Sequence, residues 1–151
     1  MIIGIEDFKK LIQGFEKPLL TPKEANGLTY SIIELLMKDN CTVELLKLLS
    51  RYLSKSAYEN IIEERIIGHW CGYPICNIQD DKIRDEVKFN KIAEKFALKS
   101  YYSTRYCCKD HYLKSEFYRR QLSEDALFMR IELDKQWFSD GSIENDIRVL
   151  E

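Results

Sequence analysis

Two short pairs of metal-ligand residues constrain this chain more than anything else in it: Cys71-x4-Cys76, within C-G-Y-P-I-C, and Cys107-x3-His111, within C-C-K-D-H. Residues 77–106 separate the pairs, a span able to fold back and bring them together. Tetrahedral structural zinc sites take four sulfur or nitrogen ligands supplied in pairs of this kind. Gly72 and Pro74 suit a tight knuckle that turns both sulfurs of the first pair inward. A helix through Cys107 and His111 would point both to one side, four positions apart. Cys108, three residues before His111, is a rival for Cys107, and His69 is an alternative nitrogen ligand. The plain alternative is that these are unconnected core cysteines, and the compactness of both pairs argues against it. Four protein ligands leave no open position for a catalytic water, so such a metal is structural.

Composition narrows the class. With 151 residues the chain is long enough for one domain, and 45% hydrophobic with 32% charged residues is ordinary for a globular protein. Twenty-three basic against 25 acidic residues give a net charge of −2, so no overall field attracts nucleic acid or an acidic membrane. The start, M-I-I-G-I-E-D-F-K-K, has neither the basic residues nor the apolar run of a signal peptide. No stretch reaches the roughly 18 apolar residues of a membrane span. The expectation is an intracellular protein, where its five cysteines stay reduced and read as ligands or core residues.

Helical periodicity dominates the first half. Residues 6–16 predict a short helix with Phe8, Leu11, Ile12 and Phe15 on one face, broken by Pro18. Thr21-Pro22-Lys23-Glu24 predicts a capped helix start, and Ala25, Leu28, Ile32, Leu35 and Leu36 form the stripe that follows. A leucine-dense helix is expected over 43–53. A fourth begins at Ser54-Lys55-Ser56, turns Tyr58, Ile61, Ile62 and Ile66 inward, and ends at Gly68. Ile83 to Phe89 has partial strand alternation, and 101–106 is rich in β-prone residues, so a small hairpin beside the metal site is expected there. Helical pattern resumes from Cys107 to about Arg130, with a break near Leu122-Ser123. The fold class is therefore mostly α: a helical bundle with an embedded zinc finger. One domain spans 1–133, with helices over 6–68 and the finger with its long helices over 69–131, followed by a polar tail over 134–151.

Five cations, Arg105, Lys109, Lys114, Arg119 and Arg120, lie on or near the helix that carries His111. They read either as a phosphate-binding face or as an ordinary solvated one. Glu63-Glu64-Arg65 reads as a solvated turn or as an acid and a cation held beside the metal. Standard phosphatase signatures are missing: no C-x5-R, no D-x-D, and two histidines are too few for a two-metal centre. Nucleotide-binding glycine motifs are missing as well.

The run E-E-R-x5-C-G-Y-P-I-C, followed by Y-C-C-K-D-H-Y-L-K-S-E-F-Y-R-R-Q-L-S-E-D-A-L-F, resembles the fungal regulator-of-transcription family and its animal relative, RNA polymerase II-associated protein two. The likeness covers roughly residues 20–131 and is strongest in 63–76 and 106–128. These are atypical phosphatases of the polymerase carboxy-terminal domain. The resemblance implies a mostly helical fold and one structural zinc on Cys71, Cys76, Cys107 and His111, with Cys108 standing where serine is common. It implies dephosphorylation of the fifth-position serine of the heptad repeat, with Glu64, Arg65 and Tyr102 at the site and Ser115 a further candidate. RNA polymerase II with its phosphorylated tail is the implied partner, without direct nucleic-acid or membrane binding, and nucleus and cytoplasm are the implied locations. A zinc-braced adaptor that binds the polymerase for assembly or nuclear import, without catalysis, is the second reading, and the missing phosphatase motifs favour it.

Overall fold

A computed structural model of the chain describes residues 2–15, 19–84, 102–129 and 147–151. In order these form β1 (Ile2–Ile3), α1 (Ile5–Leu11), α2 (Pro22–Leu36), β2 (Asn40–Cys41), α3 (Val43–Leu49), α4 (Lys55–Ile67) and α5 (Lys109–Gln121). Short 3-10 turns stand at Tyr102–Thr104 and Leu127–Met129. The two strands are minimal and pair in parallel, Ile2 with Asn40 and Ile3 with Cys41. Architecture among the described residues is thus mostly helical, as the periodicity predicts.

Local chemistry explains where the helices start. Thr21 Oγ1 accepts from the Glu24 amide at 3.1 Å, and Glu24 Oε1 accepts from the Thr21 amide at 3.2 Å, with Pro22 opening the helix. The reciprocal pair satisfies two otherwise orphaned N–H groups. Thr21→Ala should cost about 1 kcal/mol, a fall in Tm of roughly 2–4 °C for a domain of this size, read by calorimetry. Thr42 and Ser54 cap α3 and α4 with one side-chain bond each, accepting from the Leu45 and Ala57 amides at 3.1 Å.

One core unites the elements. α2 packs along α4, α1 rests on α2 and α3, and α5 lies against α4. All four leucines of α3, at 45, 46, 48 and 49, are fully buried with Phe8, Leu28, Ile32, Leu53 and Ile61. α3 is therefore the centre of the bundle. The Tyr58 and Tyr118 rings meet edge-on at 4.9 Å, and the Tyr118 hydroxyl donates to the Leu46 carbonyl at 2.7 Å, which ties α5 to α3.

Several boundaries differ from expectation. α1 ends at Leu11 because residues 12–15 turn, with Gly14 at φ 95°. α3 stops at Leu49, short of residue 53. The β-prone stretch 101–106 contains a 3-10 turn at Tyr102–Thr104 and no strand among its described residues. Most of the expected 83–89 strand lies outside the described residues. What they show near the knuckle is one antiparallel bridge, Trp70 with Gln79. The helix expected from Cys107 starts at Lys109; it ends at Gln121, at the break expected near Leu122-Ser123, where Ser123 pairs with Ser54 in a parallel bridge. Residues 130–146 lie outside the described residues. Residues 147–151, expected as polar tail, lie on the domain: Tyr73 donates its hydroxyl to the Leu150 carbonyl, and Gln121 exchanges two hydrogen bonds with the Arg148 backbone.

Candidate metal centre and adjoining cleft

α4 closes through a left-handed residue, and that closure launches the knuckle. His69 takes φ 65°, while the Trp70 amide donates to the Arg65 carbonyl and the His69 amide to the Ile66 carbonyl, both at 2.9 Å. This is the usual way a helix end satisfies its last carbonyls, with histidine where glycine is commoner. The His69 ring is directed elsewhere than the metal ligands: Nδ1 lies 2.7 Å from the Ile83 carbonyl.

The chain then presents Cys71 and Cys76 on a short loop closed by Cys71 N–H to the Ile78 carbonyl and Cys76 N–H to the Tyr73 carbonyl, both 2.9 Å. The Cys41 amide of β2 donates to the Pro74 carbonyl at 2.9 Å, so the knuckle leans on the small sheet. Gly72 lets it approach the segment before α5, with the Gly72 amide 2.7 Å from the Arg105 carbonyl. A Cβ at Gly72 would stand 2.8 Å from that carbonyl oxygen, 2.9 Å from the Tyr106 ring and 3.0 Å from Ile62. Two of these neighbours have no room to yield. Gly72→Ala should therefore lower stability by about 1–3 kcal/mol and weaken metal retention, checked by thermal melting and elemental analysis.

Cys71, Cys76, Cys107 and His111 bring their donor atoms within 4.8 Å of one another. Cys76 Sγ to Cys107 Sγ is 3.8 Å, Cys71 Sγ to His111 Nδ1 is 3.7 Å, and Cys107 Sγ to His111 Nδ1 is 3.0 Å. Tetrahedral thiolates about 2.3 Å from a metal lie about 3.8 Å apart, so these residues fit an ion. Backbone amides also point at the sulfurs, Ile78 N–H to Cys76 and Cys107 N–H to Cys71, both at 3.4 Å. Such outer hydrogen bonds orient ligands and stabilise thiolate charge. A hydrogen bond with Cys71 holds the Cys76 thiol down, to about 5, and the same bond pushes Cys71 well up, while burial lifts Cys107 to about 12. A cation replaces these protons, so metal binding weakens as the solution is acidified.

Between the rival cysteines the structure decides. Cys107 belongs to the cluster; Cys108 is exposed and stands just before α5 without a side-chain capping bond. Cys107 precedes the helix and does not share a helical face with His111. The ligand comes from the extended approach and the imidazole from the first turn.

The chemical candidates are placed less as their sequence adjacency suggests. Arg65 lies within α4 and is fully buried. It donates through Nε to the Cys71 carbonyl and Nη1 to the Leu36 carbonyl, both at 2.7 Å, and through Nη2 to the Cys76 carbonyl at 2.9 Å. Those bonds commit its planar fork to the scaffold and hold it away from any phosphate in solvent. Glu64 is exposed and lines a groove with Tyr30, Ile33, Glu34, Met37 and Asn60. Ser115 is fully buried, its Oγ 2.8 Å from the Tyr58 hydroxyl and accepting from Tyr106 at 3.1 Å. It anchors a tyrosine network. Tyr102 is half-buried and stacks on Tyr112 at 6.0 Å.

Two of the five cations converge. Arg105 and Arg119 line a cleft of about 170 Å³ with Glu59, Ile62 and Glu63 of α4 and Tyr106, Tyr112 and Glu116. Arg119 is held by Glu116 at 2.9 and 3.1 Å and by Glu59 at 3.5 Å. Lys114 pairs with Asp110 at 2.9 Å, and Lys109 and Arg120 are exposed and do not line this cleft. Glu63, not Glu64, joins Glu59 and Glu116 among the acids that line this cleft. Helical spacing carried that signal: Glu59, Ile62 and Glu63 share one face of α4, and Tyr112, Glu116 and Arg119 one face of α5.

Fold and site together define a helical domain whose distant segments are joined by a metal-fitting Cys3His cluster. The chain belongs to the Rtr1/RPAP2 family, whose model matches residues 51–123. It is 39% identical over 132 residues to the Saccharomyces cerevisiae protein named RNA polymerase II subunit B1 CTD phosphatase RTR1, a match covering 83% of this chain and 58% of that protein. To the Rattus norvegicus RNA polymerase II subunit B1 CTD phosphatase Rpap2 it is 28% identical over 131 residues, 83% of this chain and 21% of that one. The chain therefore spans little more than half of one relative and a fifth of the other. Among solved structures, Saccharomyces cerevisiae Rtr1 (regulator of transcription) aligns with a TM-score of 0.79 at 35% identity, over 94% of this chain and 82% of that one. Kluyveromyces lactis Rtr1 aligns with a TM-score of 0.76 at 28% identity, over 98% and 99%. Among the described residues no helix is long and apolar enough to cross a membrane.

Proposed function

We propose that this chain is a zinc-braced protein serine phosphatase acting on phosphorylated heptad repeats of the RNA polymerase II carboxy-terminal domain, at the fifth-position serine, and so regulating transcription. The observation that carries the reading is the cleft that Arg105 and Arg119 line together with Glu63, joined to the knuckle where the Gly72 amide donates to the Arg105 carbonyl. The names of the relatives support its substrate. Zinc suits three thiolates and one imidazole, and with all four positions taken it supplies structural bracing only.

In this reading Arg105 and Arg119 hold the phosphate and neutralise charge that develops on its oxygens. Glu63 orients a water and takes its proton as the water oxygen bonds to phosphorus. The bond from phosphorus to the serine oxygen breaks, and the proton is returned to that oxygen. Phosphate must first draw Arg119 away from Glu116, which grips it with two hydrogen bonds. Turnover of a phosphorylated heptad peptide tests the proposal. Arg105→Ala should lower kcat/KM about 100-fold or more, and Glu63→Gln by a similar factor, with metal content unchanged. Equal rates in wild type and both variants would remove the cleft from catalysis.

The acidic character of the cleft favours a second reading. Three glutamates face two arginines there, and Arg119 is already occupied. A protein that binds the polymerase for assembly or import, travelling between cytoplasm and nucleus, needs no turnover. A complete absence of turnover together with polymerase capture, and a tagged protein found in both compartments, is the outcome that selects it.

A further inference from the structure

Arg65 raises an energetic question that its hydrogen bonds do not answer. Its side chain is fully buried, and its three acceptors, the carbonyls of Leu36, Cys71 and Cys76, are neutral. Among the described residues no carboxylate pairs with it. Arginine keeps its charge in proteins, and a buried charge without a counter-ion costs several kcal/mol. Dipoles satisfy its N–H groups but do not cancel its charge.

The missing charge lies next door. Two of the three carbonyls belong to Cys71 and Cys76, members of the metal-ligand cluster. A divalent ion bound by three thiolates and a neutral imidazole sums to +2 − 3 = −1. We infer that Arg65 is the counter-ion of the metal–thiolate cluster and that its single positive charge matches this site to a complex of net charge −1. The inference concerns Arg65 and the metal and holds whether or not the cleft is catalytic. It makes Arg65 a positioning residue: it aims the knuckle through the ligand carbonyls and balances the charge of the ligands.

Linkage makes the idea testable. If guanidinium and cluster stabilise each other, neutralising either one leaves the other as an uncompensated buried charge, and neutralising both removes the penalty. The measurement is zinc affinity by chelator competition for wild type, Arg65→Lys and Arg65→Met, each also combined with Cys107→His, which makes the complex Cys2His2 and electrically neutral. Arg65→Met alone should weaken zinc binding roughly 10–100-fold, the range of outer ligand partners. Arg65→Lys, which keeps the charge and loses the fork, should bind more tightly than Arg65→Met. In the Cys107→His background the loss on going from Arg65 to Met should shrink by about threefold or more, because no net negative charge remains to be balanced and only the part owed to the hydrogen bonds with the knuckle carbonyls is left. Should Arg65→Met fail to fold in the native ligand background, folding with bound zinc in the Cys107→His background supports the inference equally. Equal losses in both backgrounds, Lys no better than Met, or failure to fold in both, overturns it.

Discussion

Removing the metal is expected to release α5 from this protein while leaving much of the remaining bundle in place. The ligands join the knuckle after α4 to the approach and first turn of α5, two pieces more than 30 positions apart. Beyond the ligands, α5 is held chiefly by Ser115 and Tyr118, its fully buried side chains. By contrast, α1 to α4 share a leucine-rich core centred on α3 that includes no ligand from the Cys107–His111 side. A structural zinc site contributes around 10 kcal/mol in small peptides, and at roughly 2–4 °C per kcal/mol even part of that lowers Tm by about 10 °C or more. Hydrogen exchange with and without chelator should show protection lost first over 102–121, with α2 and α3 affected least. Cys71→Ser should reproduce the pattern with less than about half an equivalent of zinc retained. A chelated protein that keeps both its Tm and the protection of α5 would show that the cluster is no brace.

The second large effect separates scaffold from chemistry at adjacent positions. Arg65→Ala should cost about 3–5 kcal/mol, because it leaves three carbonyls of two different segments without donors and opens a cavity beneath the knuckle. Glu64→Ala, exposed on the opposite side of the same turn, should change stability by no more than about 0.5 kcal/mol. Urea unfolding followed by circular dichroism measures both. If Arg65→Ala unfolds at the wild-type midpoint and loses only turnover, Arg65 belongs to the chemistry instead.

This pair also shows what the sequence can and cannot reveal. Consecutive helical residues point about 100° apart, so Glu64 and Arg65, adjacent in a motif, face solvent and core respectively. Sequence adjacency suggested a joint site; the geometry of α4 forbids it. The ligands were legible because metal chemistry demands fixed residue types at short spacing. The starts of α2 and α4 were legible because capping is decided within four residues, as at Thr21 and Ser54. The cleft was legible only in part: spacing groups its residues on one face of α4 and one face of α5, but Glu63 and Arg105, 42 positions apart, come to line one cleft only through the fold. Ser115, a candidate by resemblance alone, is buried against the Tyr58 hydroxyl, a partner 57 positions earlier that local pattern does not disclose. The 101–106 stretch had strand-forming residues, yet the Arg105 and Tyr106 amides both turn back to the Tyr102 carbonyl, closing a turn in place of a strand.

The proposed function divides two roles: a metal held by the Cys3His cluster would brace the frame with Arg65, and the cleft lined by Glu63, Arg105 and Arg119 would take the phosphate. The most direct test is turnover of the fifth-position phosphoserine heptad peptide by protein loaded with zinc and, in parallel, with cadmium, which thiolates also bind. A bracing metal predicts folded protein and kcat values within about twofold of each other, since no reacting atom touches the ion. A kcat that changes tenfold or more with the metal, in protein that remains folded, would place the chemistry at the ion and contradict the division.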